Sequence, residues 1–328
     1  MQSLGYPRYA AVLTLSLAWP SGPAEAIELR LPIDCEIGVT CEVQNYVDLD
    51  SSSQARDYQC GSRTYNGHTG VDFRLPSLRA QRAGVNVLAA APGRVLRVRD
   101  GVPDISVRER GFGAVNDREC GNGVVVDHGE GWLTHYCHMA QGSLLVKPGD
   151  KVQALQPLGR VGLSGLTEYP HLHFGVTFQG KRVEPFAFGA ADGSCGGGRS
   201  LWAPSLQSAL AYKSRAVLNT GFTNGEVNME TIEAGDVPAP ALETALVAYV
   251  RAIGTKAGDI QTLQIAAPDG RILVESSTKP LDRDKAQVMM FVGKKPPAGG
   301  WPPGVYRATY TISHDNTVVL DRSFSTEL

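Results

Sequence analysis

The chain has 328 residues, enough for two folded domains of about 100 to 200 residues each. Its 31 lysines and arginines nearly balance its 33 aspartates and glutamates, so no long-range field draws it to nucleic acid or to anionic lipid. This composition excludes a protein that binds nucleic acid by bulk charge, and partners must be recognised through local shape and chemistry.

The amino terminus has the pattern of a secretory signal. Arg8 precedes an apolar run over residues 9–19, and the triplet Ala24-Glu25-Ala26 follows. A short apolar core before a small-x-small triplet is typical of a cleaved export signal, whereas a spanning helix needs about 20 apolar residues. We expect residues 1–26 to be removed, the protein to be periplasmic or secreted, and no transmembrane segment to remain. The alternative is a retained membrane anchor.

The next segment, residues 27–57, is an N-terminal arm in which no residue spacing indicates a site. We expect it to wrap around the domain that follows, or to lie as an extended arm near that domain's cleft.

Residues 65–75 have the pattern of a strand that carries polar side chains. From Val71 onward apolar residues alternate, which is the period of a half-buried strand with Asp72 on its other face. Gly67 and Gly70 disfavour a helix, so His68 is expected at the mouth of this strand.

Two later strands carry further histidines. At 171–178 the alternation leaves His171 and His173 together on the face opposite the apolar residues. At 132–139 His138 shares its parity with the residues at 132, 134 and 136, whereas His135 points to the other side, and we therefore treat His135 as structural. Cys137 is an alternative zinc ligand, although the histidines and the aspartate form a complete set without a thiolate.

Five side chains from these stretches have the chemistry of a zinc site. Zinc takes nitrogen and oxygen ligands, and a catalytic zinc uses three protein ligands and keeps one position for water. Two imidazoles would then remain as bases and hydrogen-bond donors. The candidates are His68, Asp72, His138, His171 and His173.

The order H-x-x-x-D, then H, then H-x-H resembles the LytM/lysostaphin-type zinc endopeptidases of bacterial cell walls. The resemblance covers roughly residues 58–187 and rests on the stretches 67–72, 136–139, 146–152, 157–159 and 170–174. It implies that His68, Asp72 and His173 bind one zinc ion and that His138 and His171 are the catalytic imidazoles.

Several other polar residues are candidates for minor roles. Tyr65, Tyr136 and Tyr169 are near enough to offer a hydroxyl to an oxyanion, although a tyrosine more commonly packs in a core. Asn122 lies between two glycines and is a candidate for a contact with substrate in the cleft. His128 leaves a strand and is expected in a surface turn.

Export favours disulfides for the six cysteines, because an even number in an oxidising compartment is typical of paired thiols. Only the first two are close enough in sequence to suggest their own pairing, and the sequence does not settle the others. The expected pairs are Cys35–Cys41, Cys60–Cys120 and Cys137–Cys195.

The region 58–191 is expected to be a largely antiparallel β domain, because short β-rich runs alternate with turn residues and no long helical periodicity occurs. The resemblance implies that this domain has a lysostaphin-like fold. The polar segment 101–120 interrupts this pattern. It is either a solvated loop or an insertion that rims a substrate groove.

Glycines at 192–204 indicate a linker, because consecutive glycines carry no packing side chain. A short helix is expected at 205–212. Short strands between 245 and 324, with turns at 268–270 and 314–316, then predict an immunoglobulin-like β-sandwich over 205–328. This domain has no cluster of catalytic residue types, and His314 is interpreted as a polar turn residue. The sandwich could bind the wall, a partner or the enzyme's own cleft.

The sequence therefore predicts an exported zinc endopeptidase that hydrolyses peptide bonds in the stem peptides or cross-links of peptidoglycan. The alternative is a non-catalytic wall-binding or regulatory protein on the same scaffold. Such proteins have lost metal ligands, and here every expected position is present.

Overall fold

The computed structural model describes residues 26–328, so the predicted export signal lies outside the described residues except for its last alanine. β-strands dominate this part of the chain, and every pairing between two strands is antiparallel. The predicted mainly β class is confirmed. Within 26–328, every helix is too short or too polar to cross a membrane.

The first unit is built on an eight-stranded sheet in the order β1-β2-β9-β6-β5-β4-β7, with β10 paired to β9, while β3 and β8 form a separate two-stranded sheet. The strands are β1 (Glu42–Asn45), β2 (Val71–Arg74), β3 (Asn86–Leu88), β4 (Gly93–Arg99), β5 (Asn122–Asp127), β6 (Trp132–Met139), β7 (Lys151–Val152), β8 (Pro157–Arg160), β9 (His171–Phe178) and β10 (Lys181–Val183).

Alternation along the central strands separates a core face from a polar face. Val71 and Phe73 on β2, and Leu172 and Phe174 on β9, are fully buried in the core. The residues between them point to the opposite face, so the polar side chains of both strands are collected on one side of the sheet.

Helices are few and short. They are α1 (Leu78–Ala83), α2 (Val107–Arg110) and α3 (Met229–Ala234), with 3-10 turns at Phe112–Val115 and Pro204–Leu206. The helix expected at 205–212 is wrong, because only the 3-10 turn forms there. Leu210 and Tyr212 instead pack into the first core, and packing overrides the weak helical preference of so short a segment.

The second unit is a sandwich of a three-stranded sheet, β11-β12-β15, and a four-stranded sheet, β14-β13-β16-β17. The chain passes from one sheet to the other and back, as in immunoglobulin-like folds. The strands are β11 (Ala216–Thr223), β12 (Leu246–Thr255), β13 (Ile260–Ala266), β14 (Ile272–Ser277), β15 (Lys285–Lys294), β16 (Val305–His314) and β17 (Thr317–Glu327). Strand β11 was not predicted.

The glycine-rich segment is partly packed into the first unit. Leu201 and Trp202 are buried in the first apolar core, and the second core begins at Val217. We therefore propose that the boundary between the units lies near residues 213–215, after the expected linker at 192–204.

Three disulfides link the six cysteines, and two of the expected pairs are wrong. The pairs are Cys35–Cys41, Cys60–Cys195 and Cys120–Cys137. At the irregular end of the β5–β6 pairing, the amide of His138 bonds the carbonyl of Cys120 at 2.8 Å and so brings Cys120 beside Cys137. The backbone of residue 196 bonds that of residue 58, which brings Cys195 beside Cys60.

Candidate metal centre

Three of the predicted site residues converge on the polar face of the sheet. Asp72 on β2 lies directly opposite His173 on β9, and His68 lies in the loop before β2. Asp72 Oδ1 is 2.9 Å from His173 Nδ1 and 3.1 Å from His68 Nε2, and the two nitrogens are 3.2 Å apart. Among the histidine, cysteine, aspartate and glutamate side chains of the described residues, these three are the ones whose ligand atoms lie close enough together to hold a metal ion.

The donor set fits a zinc ion. Zinc binds imidazole nitrogen and carboxylate oxygen at about 2.0–2.2 Å, so tetrahedral ligands lie roughly 3.3 Å apart. The three observed separations, between 2.9 and 3.2 Å, are close to that value. One carboxylate and two imidazoles in these positions leave room for a fourth ligand.

Hydrogen bonds on the far side of each predicted ligand fix its orientation. The Tyr46 carbonyl lies 2.7 Å from His68 Nδ1 and can only accept, so Nδ1 carries the proton and the Nε2 lone pair faces the centre. The Thr69 hydroxyl bonds His173 Nε2 at 3.0 Å. Asn45 Nδ2 donates to Asp72 Oδ2 at 2.9 Å, which leaves Oδ1 for the two histidines.

Two further imidazoles, His138 and His171, lie beside the three ligands. Their ring centroids are 4.6 Å apart, and His171 Nε2 is 3.5 Å from Asp72 Oδ1. His138 Nδ1 donates to the Ser164 carbonyl at 2.8 Å and His171 Nδ1 to the Tyr169 carbonyl at 2.9 Å. Each ring therefore keeps an Nε2 lone pair for chemistry, and the structure brings all five predicted residues together.

A break in the alternation of β6 carries His138 to this position. The residues at 132, 134 and 136 face the core, as does Met139, and His138 between them has a φ of 62°. His135 points away from the residues at 132, 134 and 136, as predicted, but the metal centre lies on that same side of the sheet. Strand β6 pairs Cys137 with His173 and His135 with Gly175, so His135 shares the face of the metal centre. Its Nε2 lies 3.4 Å from a threonine hydroxyl at position 177, outside the cluster.

Burial and neighbouring charges divide the cluster into neutral bases and an ionised carboxylate. Burial, reinforced by His171 and His173, holds the pKa of His138 well below its usual value, and burial lowers the pKa of His171 despite the Asp72 charge. Burial alone would raise the pKa of Asp72, but His68 and His171 hold it well below the ordinary range. Burial lowers the pKa of His68, but the Asp72 carboxylate outweighs it and the net pKa is raised.

Of the three candidate tyrosines, Tyr65 and Tyr169 lie at the edge of the centre, whereas Tyr136 is buried in the core. Tyr65 is 54 % exposed, and its ring lies 4.5 Å from that of His68. Tyr169 stacks against the guanidinium of Arg74 at 3.8 Å, and its burial raises its pKa to about 12. Both hydroxyls keep their protons near neutral pH and can donate hydrogen bonds.

The prediction that Asn122 touches substrate is wrong. Its side chain is completely buried, its oxygen accepts from the Val102 amide at 2.7 Å, and its nitrogen donates to the carbonyls of Val102 and Met139. Asn122 ties the segment after β4 to the β5–β6 hairpin and has a structural role.

Sequence reasoning missed the contribution of the N-terminal arm. Strand β1 pairs with β2, with Asn45 opposite Asp72, and the next residue supplies the carbonyl that orients His68. The arm was expected near the domain, but nothing local in its sequence identifies Asn45 as a partner of a metal ligand.

Comparisons with known proteins agree with this geometry. Residues 66–185 match the model of peptidase family M23. The peptidoglycan DD-endopeptidase ShyA of Vibrio cholerae is 31% identical over 116 residues, which are 35% of this chain and 21% of that protein. The murein hydrolase activator EnvC of Escherichia coli is 36% identical over 102 residues, 31% of this chain and 20% of that protein. This chain thus spans about a fifth of the length of these two relatives.

Among solved structures, the catalytic domain of the prophage-encoded M23 protein EnpA from Enterococcus faecalis is 26% identical to this chain. The alignment covers 44% of this chain and 92% of that domain, with a TM-score of 0.29. Residues 66–185 of this chain are thus similar to peptidase family M23.

Proposed function

We propose that this protein is an exported zinc metalloendopeptidase that hydrolyses peptide bonds in the stem peptides or cross-links of peptidoglycan. The proposal rests above all on two imidazoles and a carboxylate whose donor atoms lie 2.9–3.2 Å apart, with two more imidazoles beside them. The family match supports peptide hydrolysis, and the relative named as a peptidoglycan DD-endopeptidase supports a wall substrate.

Each residue of the cluster then has a distinct role. His68, Asp72 and His173 would hold the zinc ion, which when bound lowers the pKa of a water molecule to about 7 and polarises the scissile carbonyl. His138 and His171 are neutral bases with a free Nε2, so one of them takes a proton from the attacking water and returns it to the leaving amine. The protonated imidazole and the Tyr65 hydroxyl can donate to the developing oxyanion.

Zinc stoichiometry and digestion of purified peptidoglycan test this function. We expect one zinc ion per chain and release of soluble peptides that stops with a chelator and resumes with added zinc. His173→Ala should lose zinc and activity together. His138→Ala should keep zinc and lower kcat by about 10² to 10⁴, the usual contribution of a general acid–base group. A zinc-loaded wild-type protein that releases nothing refutes the function, and a His138→Ala variant with full turnover refutes that role alone.

One observation favours a second candidate, a non-catalytic regulator of wall hydrolysis. The relative EnvC is named as a murein hydrolase activator. The complete set of predicted ligands and the second pair of imidazoles count against this role here. A regulator would be inactive alone in the digestion assay and would stimulate an added hydrolase.

The disulfides support the export part of the proposal. In the described residues no cysteine is free, and three disulfides are typical of an oxidising compartment. Fractionation of the native cells should place the oxidised protein in the periplasm or the medium. Recovery of a reduced protein from the cytoplasm would contradict export.

A further inference from the structure

The metal centre is directly connected to the β-sandwich through Arg74. This residue follows Asp72 by two positions on β2 and lies opposite His171 on β9, so it shares the face of the metal centre. Its side chain is only 1% exposed. Nη2 donates to Glu233 Oε2 at 2.7 Å and Nη1 to Gln287 Oε1 at 3.1 Å, and both acceptors belong to the sandwich unit.

Arg251, the second arginine bound to Glu233, joins the two units again. The same carboxylate accepts from Arg251 of β12, which is completely buried and donates through Nη2 to the Pro76 carbonyl at 2.6 Å. Two buried cations from different units thus share one carboxylate. Because an unpaired buried charge is costly, this arrangement favours one relative position of the sandwich.

Two glycines of the sandwich lie in close contact with side chains of the first unit. A Cβ on Gly235 would lie 2.5 Å from the Ser77 hydroxyl, and a Cβ on Gly254 would collide with the Arg63 side chain. The Ser62 hydroxyl also bonds the carboxylate of residue 284 at 2.8 Å. The sandwich therefore packs against the first unit in one fixed orientation.

A cavity of about 470 Å³ lies between these contacts. Asp72 and His171 line it from the metal centre, whereas Gly254, Ala286 and Gln287 line it from the sandwich. This volume is within the range of about 300–1,000 Å³ that is usual for ligand sites. The space beside the predicted catalytic groups thus has one wall made by each unit.

We propose that the β12–β15 side of the sandwich forms one wall of the substrate cleft and contacts the peptide next to the bond that is cut. This inference rests on the proposed function. Gln287 is placed for such a contact: Arg74 engages its oxygen, and its amide nitrogen is a donor suited to a peptide carbonyl. Ala286 is small and exposed, and it leaves space for the substrate. These two residues determine specificity and are not catalytic.

A bulky residue on the wall tests the proposal in the full chain. The ligands are soluble cross-linked peptides released from peptidoglycan. For these peptides Ala286→Trp should raise both KM and Kd by at least about tenfold, because each 1.4 kcal/mol of lost binding free energy lowers the affinity tenfold. Gln287→Ala should raise both about three- to tenfold. The matched control is Ser276→Trp, an exposed position on β14 in the other sheet, which should leave KM and Kd unchanged. Zinc content and the urea midpoint of each variant show that it is folded and loaded.

The outcomes separate this inference from the proposed function. If folded, zinc-loaded Ala286→Trp binds and cuts the peptides as the wild type does, the wall does not contact substrate and the inference is refuted. If the wild type binds the peptides without cutting them, the proposed hydrolysis fails and the Kd values alone decide about the wall. If it neither binds nor cuts them, both are refuted.

Discussion

The hydrogen bond from Asn45 to Asp72 should determine how tightly the metal centre holds zinc. It is 2.9 Å long, and it occupies the carboxylate oxygen that does not face the histidines. A hydrogen bond to a charged group contributes about 1.5–3 kcal/mol. Since 1.4 kcal/mol is tenfold in affinity, Asn45→Ala should weaken zinc binding by roughly 10- to 100-fold, in line with other groups that orient metal ligands.

Competition with a chromophoric chelator at fixed neutral pH measures this effect. The matched control is Asn86→Ala, because Asn86 donates to an exposed aspartate at position 34 over 3.3 Å and should not affect zinc. At saturating zinc, Asn45→Ala should recover most of its turnover, since the ligands and the two bases remain. If both variants bind zinc within about twofold of the wild type, the arm does not orient Asp72 and the reasoning is wrong.

Three further substitutions test the contact between the two units, the ion pair of Asp259 and the buried asparagine of the β5–β6 hairpin. Glu233→Ala leaves two buried arginines without their carboxylate and should lower the free energy of unfolding in urea by about 3–5 kcal/mol. The control Glu230→Ala, at an exposed position on the same helix, should change this free energy by less than about 0.5 kcal/mol. Burial would raise the pKa of Asp259, but hydrogen bonds from Arg215 lower it below its ordinary 3.8. The ionised carboxylate therefore stabilises the folded protein above pH 3.8, and this stabilisation is lost as the pH falls further. In urea titrations below pH 3.8, the free energy of unfolding should fall more steeply with decreasing pH in the wild type than in Asp259→Asn. Asn122→Ala should cost about 2–3 kcal/mol of stability with KM unchanged, and a raised KM would restore it as a substrate contact.

The strands that carry the site were predictable because they are half-buried. Strand β6 occupies the expected residues 132–139, and in β9 apolar and polar residues alternate. His171 and His173 therefore appear on one face from periodicity alone. The position of the His138 side chain does not follow from periodicity, since alternation along β6 would place it on the core face with residues 132, 134 and 136. Its positive φ brings it to the centre, and a single sequence does not reveal such a backbone break.

Contacts between distant segments were the part that could not be predicted. The pairing of β1 with β2 places Asn45 beside Asp72, and the disulfide between Cys120 and Cys137 depends on the irregular register at the end of the β5–β6 hairpin. Both are decided by register, and alternation along one strand does not fix the partner or the register of another. The contact between Arg74 and Glu233 joins residues 159 positions apart and has no local sequence signal.

The predicted ligands and bases all lie within residues 66–185, but some of the groups that hold the site in place do not. Asn45 and the Tyr46 carbonyl come from the arm before this segment, and Glu233 and Gln287 come from the unit after it. Because a metal site depends on the groups that orient its ligands, the segment that matches family M23 carries only part of what this centre needs. Differences in affinity and specificity between this chain and the relatives that it matches over this segment are therefore expected to arise in the arm and the sandwich, where the shared motifs are absent.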